Sequence, residues 1–240
     1  MKLLLKKCHR FFYLGVVILF FILLYPLIYF FSRKVERYIS LNQIRRFYSH
    51  ITSILAGFIL KRRFKAEIDW SQTYIICANH TSNLDIPAIT TTVKGNFAFM
   101  GKDELLENPL LRIFFETIDI PLKRDSKISA FKAFKRGEEY LKQGISLVIF
   151  PEGKIGEEYP PVLHEFKNGP FRLAIEQQIP IIPISMINNW KKMWDDGSKY
   201  GTRPGICDIC IHQPVQTRGF TQDQADELKE KIYSIIHSEL

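Results

Sequence analysis

Cysteine is scarce. The four residues Cys8, Cys77, Cys207 and Cys210 in a chain of 240 are too few for a disulfide scaffold and fit a reducing compartment. Acid is nearly missing from the first quarter: residues 1–65 hold 13 Lys/Arg against Glu36 alone, whereas residues 66–240 hold 20 Lys/Arg and 24 Asp/Glu. The net +8 therefore belongs to the N-terminal segment. No internal repeat or low-complexity tract occurs. No Gly-rich loop of the Walker type is present, and no Ser stands in a G-x-S-x-G elbow, so a covalent serine mechanism has no support. Cys207 and Cys210 form a C-x-x-C without a second ligand pair. Their offset puts the two thiols on opposite faces of a strand, which argues against a metal site.

What the chain does contain is apolar residues, 46% against 24% charged, enough for a packed core and incompatible with wholesale disorder. It also contains one long charge-free run, Phe11 to Phe31. As a helix this run is about 31 Å long, near the thickness of a hydrocarbon core. It is too long for a signal peptide, and Ser32-Arg33-Lys34 is no small-residue cleavage site. Basic residues flank both ends, so the positive-inside rule gives no clear orientation. One reading is a single bitopic span; the other is a segment whose two ends return to the same surface. A second stretch, Phe47 to Leu60, suits either a helix lying in the membrane interface or an amphipathic helix packed on the domain. A basic chain invites a nucleic-acid reading, but charge flanking a greasy run fits anionic lipid head groups better. No nucleic-acid partner is expected.

From residue 66 onward short apolar runs alternate with helical spacing. Thr73–Ala78, Asn96–Met100, Ile118–Leu122, Ser146–Phe150, Ile179–Met186 and Ile206–His212 read as strands. Lys102–Phe115, Ser129–Gln143, Lys167–Gln177 and Thr221–Ser238 read as helices, the last opened by a Thr221/Gln224 capping box. The pattern predicts an α/β fold, a mostly buried central sheet flanked by helices, over residues 66–240, preceded by membrane-anchoring helices over 1–65.

Four segments could carry chemistry. In Asn79-His80-Thr81-Ser82-Asn83-Leu84-Asp85, His80 and Asp85 would diverge on one straight helix. They meet only if His80 lies in a loop and Asp85 opens the next helix, which Ser82, Asn83 and Pro87 permit. A carboxylate on one imidazole nitrogen then leaves the other as a general base. The blander reading is a helix cap beside a loop histidine. Phe150-Pro151-Glu152-Gly153-Lys154 follows an apolar strand at the end where α/β sheets place ligands, or it is simply a turn. Asp119 to Arg124 ends in Lys123-Arg124, a fork suited to phosphate or a solvated surface charge. Ile179 to Ile184 carries two prolines, which predict an edge strand or a strand end. His164 and His212 have no partner at helical spacing.

In this order the four segments resemble the blocks of the glycerolipid acyltransferase family, and within it the 1-acyl-glycerol-3-phosphate acyltransferases. Gly101-Lys102-Asp103-Glu104-Leu105 and Phe166-Lys167-Asn168-Gly169 are similar to its connecting segments. The resemblance spans roughly residues 65 to 215 and rests on ordered blocks, far more specific than any one of them. It implies transfer of a fatty acyl group from acyl-CoA or acyl-carrier protein to the free hydroxyl of lysophosphatidic acid, at the inner membrane with the catalytic domain on the cytoplasmic side. It implies His80 and Asp85 as catalytic residues. Arg124, Glu152, Gly153, Lys154 and Lys167 would form the acceptor site, with lesser parts for Lys123 and Asn79. No metal or cofactor is required, since the thioester is already activated. Backbone N–H groups near the helix start after His80 are the expected oxyanion donors. One departure is Lys154-Ile155 where the family often has Thr-Arg: Lys154 gives a point charge, not a bidentate fork. Another lysophospholipid or an amino-acid lipid as acceptor, and a non-catalytic lipid-binding role, are the competing readings.

Overall fold

The computed structural model describes residues 2–123 and 126–240. Two long helices come first, α1 (Lys2–Ser32) and α2 (Tyr38–Leu55). They are followed by β1 (Phe58–Phe64), β2 (Ile75–Ala78), α3 (Asp85–Thr92), β3 (Phe97–Lys102), α4 (Arg112–Phe115), β4 (Ile120–Leu122), α5 (Lys127–Lys142), β5 (Ser146–Ile149), α6 (Gly169–Gln177), β6 (Ile181–Met186), β7 (Gly205–Ile211) and α7 (Ala225–His237). The strands form one seven-stranded sheet in the order β1-β7-β6-β2-β5-β3-β4. All neighbours are parallel except β6 and β7. The fold is α/β with a central sheet flanked by helices.

Alternation along the strands sorts the core. On β2, Ile75 and Cys77 join the cluster under α5, α6 and α7, while Ile76 and Ala78 join the one under α3. Every residue of β2, β5 and β6 is buried, as expected of parallel strands covered on both faces. The carboxyl ends of β2, β3 and β5 thus open on one end of the sheet, and the loops there carry the candidate residues.

Three expectations need correction. Phe58–Phe64 is not part of an interface helix or of the N-terminal segment. It is an edge strand paired with β7, so the sheet begins before residue 66. Its basic sequence, with Lys61, Arg62 and Arg63, hid the strand pattern but suits an edge that must resist pairing with other chains. The proline-bearing β6 is central rather than peripheral. The Pro183 carbonyl accepts from the His212 N–H on the β7 side. A strand residue's N–H and C=O point the same way, so the missing N–H falls where β7 pairing starts only at Ile184. The helix expected over Lys102–Phe115 is a 3-10 turn, Asp103–Glu107, and then short α4; Asn108-Pro109 interrupts it, as the residue before a proline avoids helical backbone.

α2 is the amphipathic helix packed on the domain. Leu41, Asn42, Arg45, Ser49, Thr52 and Ser53 are buried on its inner side. Asn42 Nδ2 donates to the Phe97 carbonyl (2.8 Å). Arg45 forms a fork on Asp119 (2.9 and 3.2 Å), inside a ring of Phe97, Phe99 and Phe114. Asp119 Oδ1 also accepts from the Phe99 N–H (2.9 Å). Burial raises the Asp119 carboxyl while Arg45 pulls it back down. Removing one member of a buried pair strands the other charge. Arg45→Ala should therefore cost about 3–5 kcal/mol, read as a lower melting temperature in detergent; an unchanged melting temperature would show that the pair does not hold α2 to the sheet.

Candidate active site

β2 ends at Ala78, and Asn79 closes it. The Asn79 amide donates to the Met186 carbonyl (3.1 Å) and accepts from the Met186 N–H (2.7 Å). It is buried, so Asn79 clamps the ends of β2 and β6 together and does not face an acceptor. The chain then turns outward through His80 and Thr81 before α3 begins at Asp85. The Asp85 carboxylate is fully buried, which is tolerable only with its lone pairs filled. Oδ2 takes the N–H groups of Thr81 (2.8 Å) and Ser82 (3.0 Å) and His80 Nδ1 (3.0 Å). Oδ1 takes Asn189 Nδ2 (2.7 Å). An ionised carboxylate only accepts, so Nδ1 carries the proton and Nε2 presents a lone pair. The ring of His80 lies flat on Phe150, centroids 3.9 Å apart and planes 15° apart, and its side chain retains 16% exposure. This is an oriented imidazole whose Nε2 has no hydrogen-bond partner among the described residues, at the mouth of the sheet.

Glu152 is a clamp as well. Its Oε1 accepts from the His80 N–H (2.7 Å) and its Oε2 from the His164 N–H (2.9 Å), joining the His80 loop to the loop after β5. Burial pushes its carboxyl up to about 7, against the pull of those two N–H groups. Gly153, at φ +78°, lets the chain reverse directly after it. Lys154, Lys167 and Lys123 are exposed cations with no ion pair to another side chain among the described residues. Arg124 lies outside the described residues. Among the expected oxyanion donors, the N–H groups from Thr81 to Asp85 are all engaged by Asp85, Asp195 and Ser82.

Two contributors escaped the sequence reading. Asn189 supports Asp85 from 104 residues away; its one signal is a polar residue just past the carboxyl end of β6. Asp195, at φ +50°, pairs through its backbone with Thr81 and Asn83. Its carboxyl is raised by burial and by neighbouring Asp196 and partly pulled back by the charge of Lys102, so Lys102 at the end of β3 is a further cation near the site. His212 forms a buried contact with Ser185 Oγ (2.9 Å), but that hydroxyl donates to the Ile236 carbonyl (2.9 Å). The pair ties β6 and β7 to α7 and leaves no activated nucleophile.

The acyltransferase family model matches residues 59–187. This chain belongs to the acyltransferase family. It is 30% identical over 78% of its length to an uncharacterized acyltransferase of Schizosaccharomyces pombe, covering 68% of that protein. It is 28% identical over 92% of its length to the mouse 1-acyl-sn-glycerol-3-phosphate acyltransferase alpha, covering 76% of it. The fold is shared with the crystal structure of the 1-acyl-sn-glycerophosphate (LPA) acyltransferase PlsC from Thermotoga maritima. There the TM-score is 0.76 at 22% identity, over 98% of this chain and 92% of that one. The His80–Asp85 pair and the Glu152 clamp both lie inside the matched region of this acyltransferase.

The folded Glu152 carboxyl holds its proton more tightly than an unfolded glutamate of ordinary value 4.5. Its contribution to stability is therefore fully present below about pH 4.5 and lost as pH rises through about 7. Glu152→Gln, uncharged throughout, should flatten that part of the profile while giving up one of the two backbone acceptors. Thermal melts at about pH 5 and about pH 8 read the difference; an identical pH slope in both proteins would mean that Glu152 is not the titrating group.

Proposed function

We propose that this acyltransferase moves a fatty acyl group from a thioester to the free hydroxyl of 1-acyl-glycerol-3-phosphate, giving phosphatidic acid. The observation that carries the reading is the free Nε2 of His80, oriented by Asp85 through Nδ1. Nε2 takes the hydroxyl proton as the oxygen attacks the thioester carbonyl. The C–S bond breaks, and the proton passes to the departing thiolate. Asp85 stabilises the transient imidazolium, and Phe150 holds its plane. Arg124, Lys154 and Lys167 are assigned to the acceptor phosphate, with Lys102 a further cation at the same end of the sheet. The mammalian relative named for this acceptor supports the choice of substrate.

α1 is the one helix among the described residues long and apolar enough to cross a membrane. It is held to the domain along its length. Near its start Thr202 N–H donates to the Lys6 carbonyl (3.0 Å); at its middle Tyr48 Oη donates to the Val17 carbonyl (3.0 Å); and just after its end Tyr38 meets Tyr140 edge-on. Leu4, Phe11, Phe12, Ile22, Leu23 and Phe30 are exposed on its outer side. A helix with both ends on one domain lies within a leaflet. Basic residues at both ends then obey the positive-inside rule if both face the cytoplasm.

His80→Ala should lower turnover at least about a hundredfold in folded protein, the low end of general-base contributions. Turnover near wild type would remove His80 as the base. Arg124→Ala should raise the Michaelis constant for lysophosphatidate about ten- to a hundredfold more than that for the thioester. An equal effect on both substrates would assign Arg124 a structural role, and equal rates with acceptors lacking a phosphomonoester would point to another lipid. For the anchor, tags at the two ends should both survive protease added outside sealed cells. Loss of the N-terminal tag alone would establish a bitopic span.

A further inference from the structure

The segment 189–203 supports Asp85 from within, through Asn189 and the Asp195 backbone, and it also has an outer side. Trp190, Trp194 and Tyr200 gather there with Tyr159 from the loop after β5. Ring centroids stand 5.5 Å (Tyr159–Trp190), 6.0 Å (Tyr159–Trp194), 4.3 Å (Tyr159–Tyr200) and 5.5 Å (Trp194–Tyr200) apart. Tyr159 is 48% exposed. Ammonium groups lie over these rings: Lys191 Nζ 5.3 Å from Trp190, and Lys199 Nζ 5.5 Å from Trp194 and 5.4 Å from Tyr200.

The same segment is fastened to the first turns of α1. Arg10 pairs with Asp196 (3.1 Å), and His9 Nδ1 meets Thr202 Oγ1 (2.6 Å). Gly201, at φ +70°, lies so close that a Cβ there would stand 2.7 Å from the Lys6 carbonyl carbon. Beside these contacts α1 exposes Leu3, Leu4, Leu5, Phe11 and Phe12. The segment that carries the aromatic cluster is thus fastened to the first turns of a helix whose outer side is apolar. Of the nearby acids, Glu158 hydrogen-bonds His164 (3.1 Å) and Asp196 pairs with Arg10. Exposed Lys191, Lys199 and Arg203 stand against exposed Glu157 and Glu158 on the outer rim.

Rings with an apolar body and a polar edge prefer the level of lipid head groups. Lysine stems lie along apolar surface while their ammonium ends reach the anionic layer. An adenine-bearing donor would also stack on aromatic rings beside cations, but the fastening of this segment to α1 favours the bilayer. We infer that Tyr159, Trp190 and Tyr200, with Lys191 and Lys199, form a second membrane contact, seated at head-group depth in an anionic bilayer beside α1. This rests on the in-leaflet reading of α1.

Tryptophan reports on it directly, because the three tryptophans divide between two places. Trp70 precedes β2 at the opposite end of the strand from His80, whereas Trp190 and Trp194 lie in the segment. The full chain carrying Trp70→Phe and Trp194→Phe, and a counterpart carrying Trp190→Phe and Trp194→Phe, are reconstituted into phosphatidylcholine–phosphatidylglycerol vesicles. These are made with and without lipid brominated near the top of the acyl chains. Flotation reads attachment through α1, and quenching reads the segment. Trp190 should lose roughly a third to a half of its emission to brominated lipid and Trp70 almost none, as expected for a ring at the interface. Floating protein with Trp190 quenched no more than Trp70 overturns the inference while leaving α1 in the bilayer. Failure to float overturns both. Trp190 emission that responds to coenzyme A in detergent and not to brominated lipid would overturn it in favour of a nucleotide site. Should Trp194→Phe fail to fold, the difference between the intact chain and Trp190→Phe alone gives the same readout.

Discussion

A carboxylate sealed from water has to be surrounded by donors, and in this protein the loop from His80 to Asp85 takes its shape from that requirement. Asp85 has no exposure, and its donors come from the loop backbone, from His80 and from a residue beyond β6. None of these groups can move away without leaving a buried charge unpaired, which costs far more than one hydrogen bond contributes. The His80 tautomer and ring position follow from this, and so does the close approach of segment 189–203. Glu152 repeats the device one loop further on, by holding the backbone of His80 itself.

Most of the sheet could be read from sequence because its inner strands are short, apolar and β-branched. Ile75–Ala78 and Ser146–Ile149 fell where the runs TYIICA and ISLVIF placed them. β1 escaped because an edge strand carrying Lys61, Arg62 and Arg63 lacks that signature. The meeting of His80 and Asp85 was legible because both lie within one loop and helix start, where spacing constrains geometry. Asn189, on the other hand, reaches Asp85 through the fold, and no local pattern encodes a contact across 104 residues. Glu152 and Asn79 were found in the right place with another task. Their side chains are used up by backbone groups of neighbouring loops, a difference in direction that residue identity alone does not contain.

The N-terminal helices and the candidate site are joined rather than merely adjacent. α2 is bolted to β3 and to the residue before β4 by Asn42 and Arg45, while the start of α1 grips the segment that supports the His80 loop. A disturbance of α1 therefore reaches Thr81 and Asn83 through the Asp195 backbone. The placement of α1 and the order of the site are consequences of the same contacts.

The stacking of His80 on Phe150 has a stereochemical consequence. With one face of the imidazole covered, the Nε2 lone pair points along a fixed direction in the ring plane. A proton donor therefore has to arrive along that line and on the open side of the ring, so a phenyl group that takes no part in proton transfer sets the direction of approach to the imidazole.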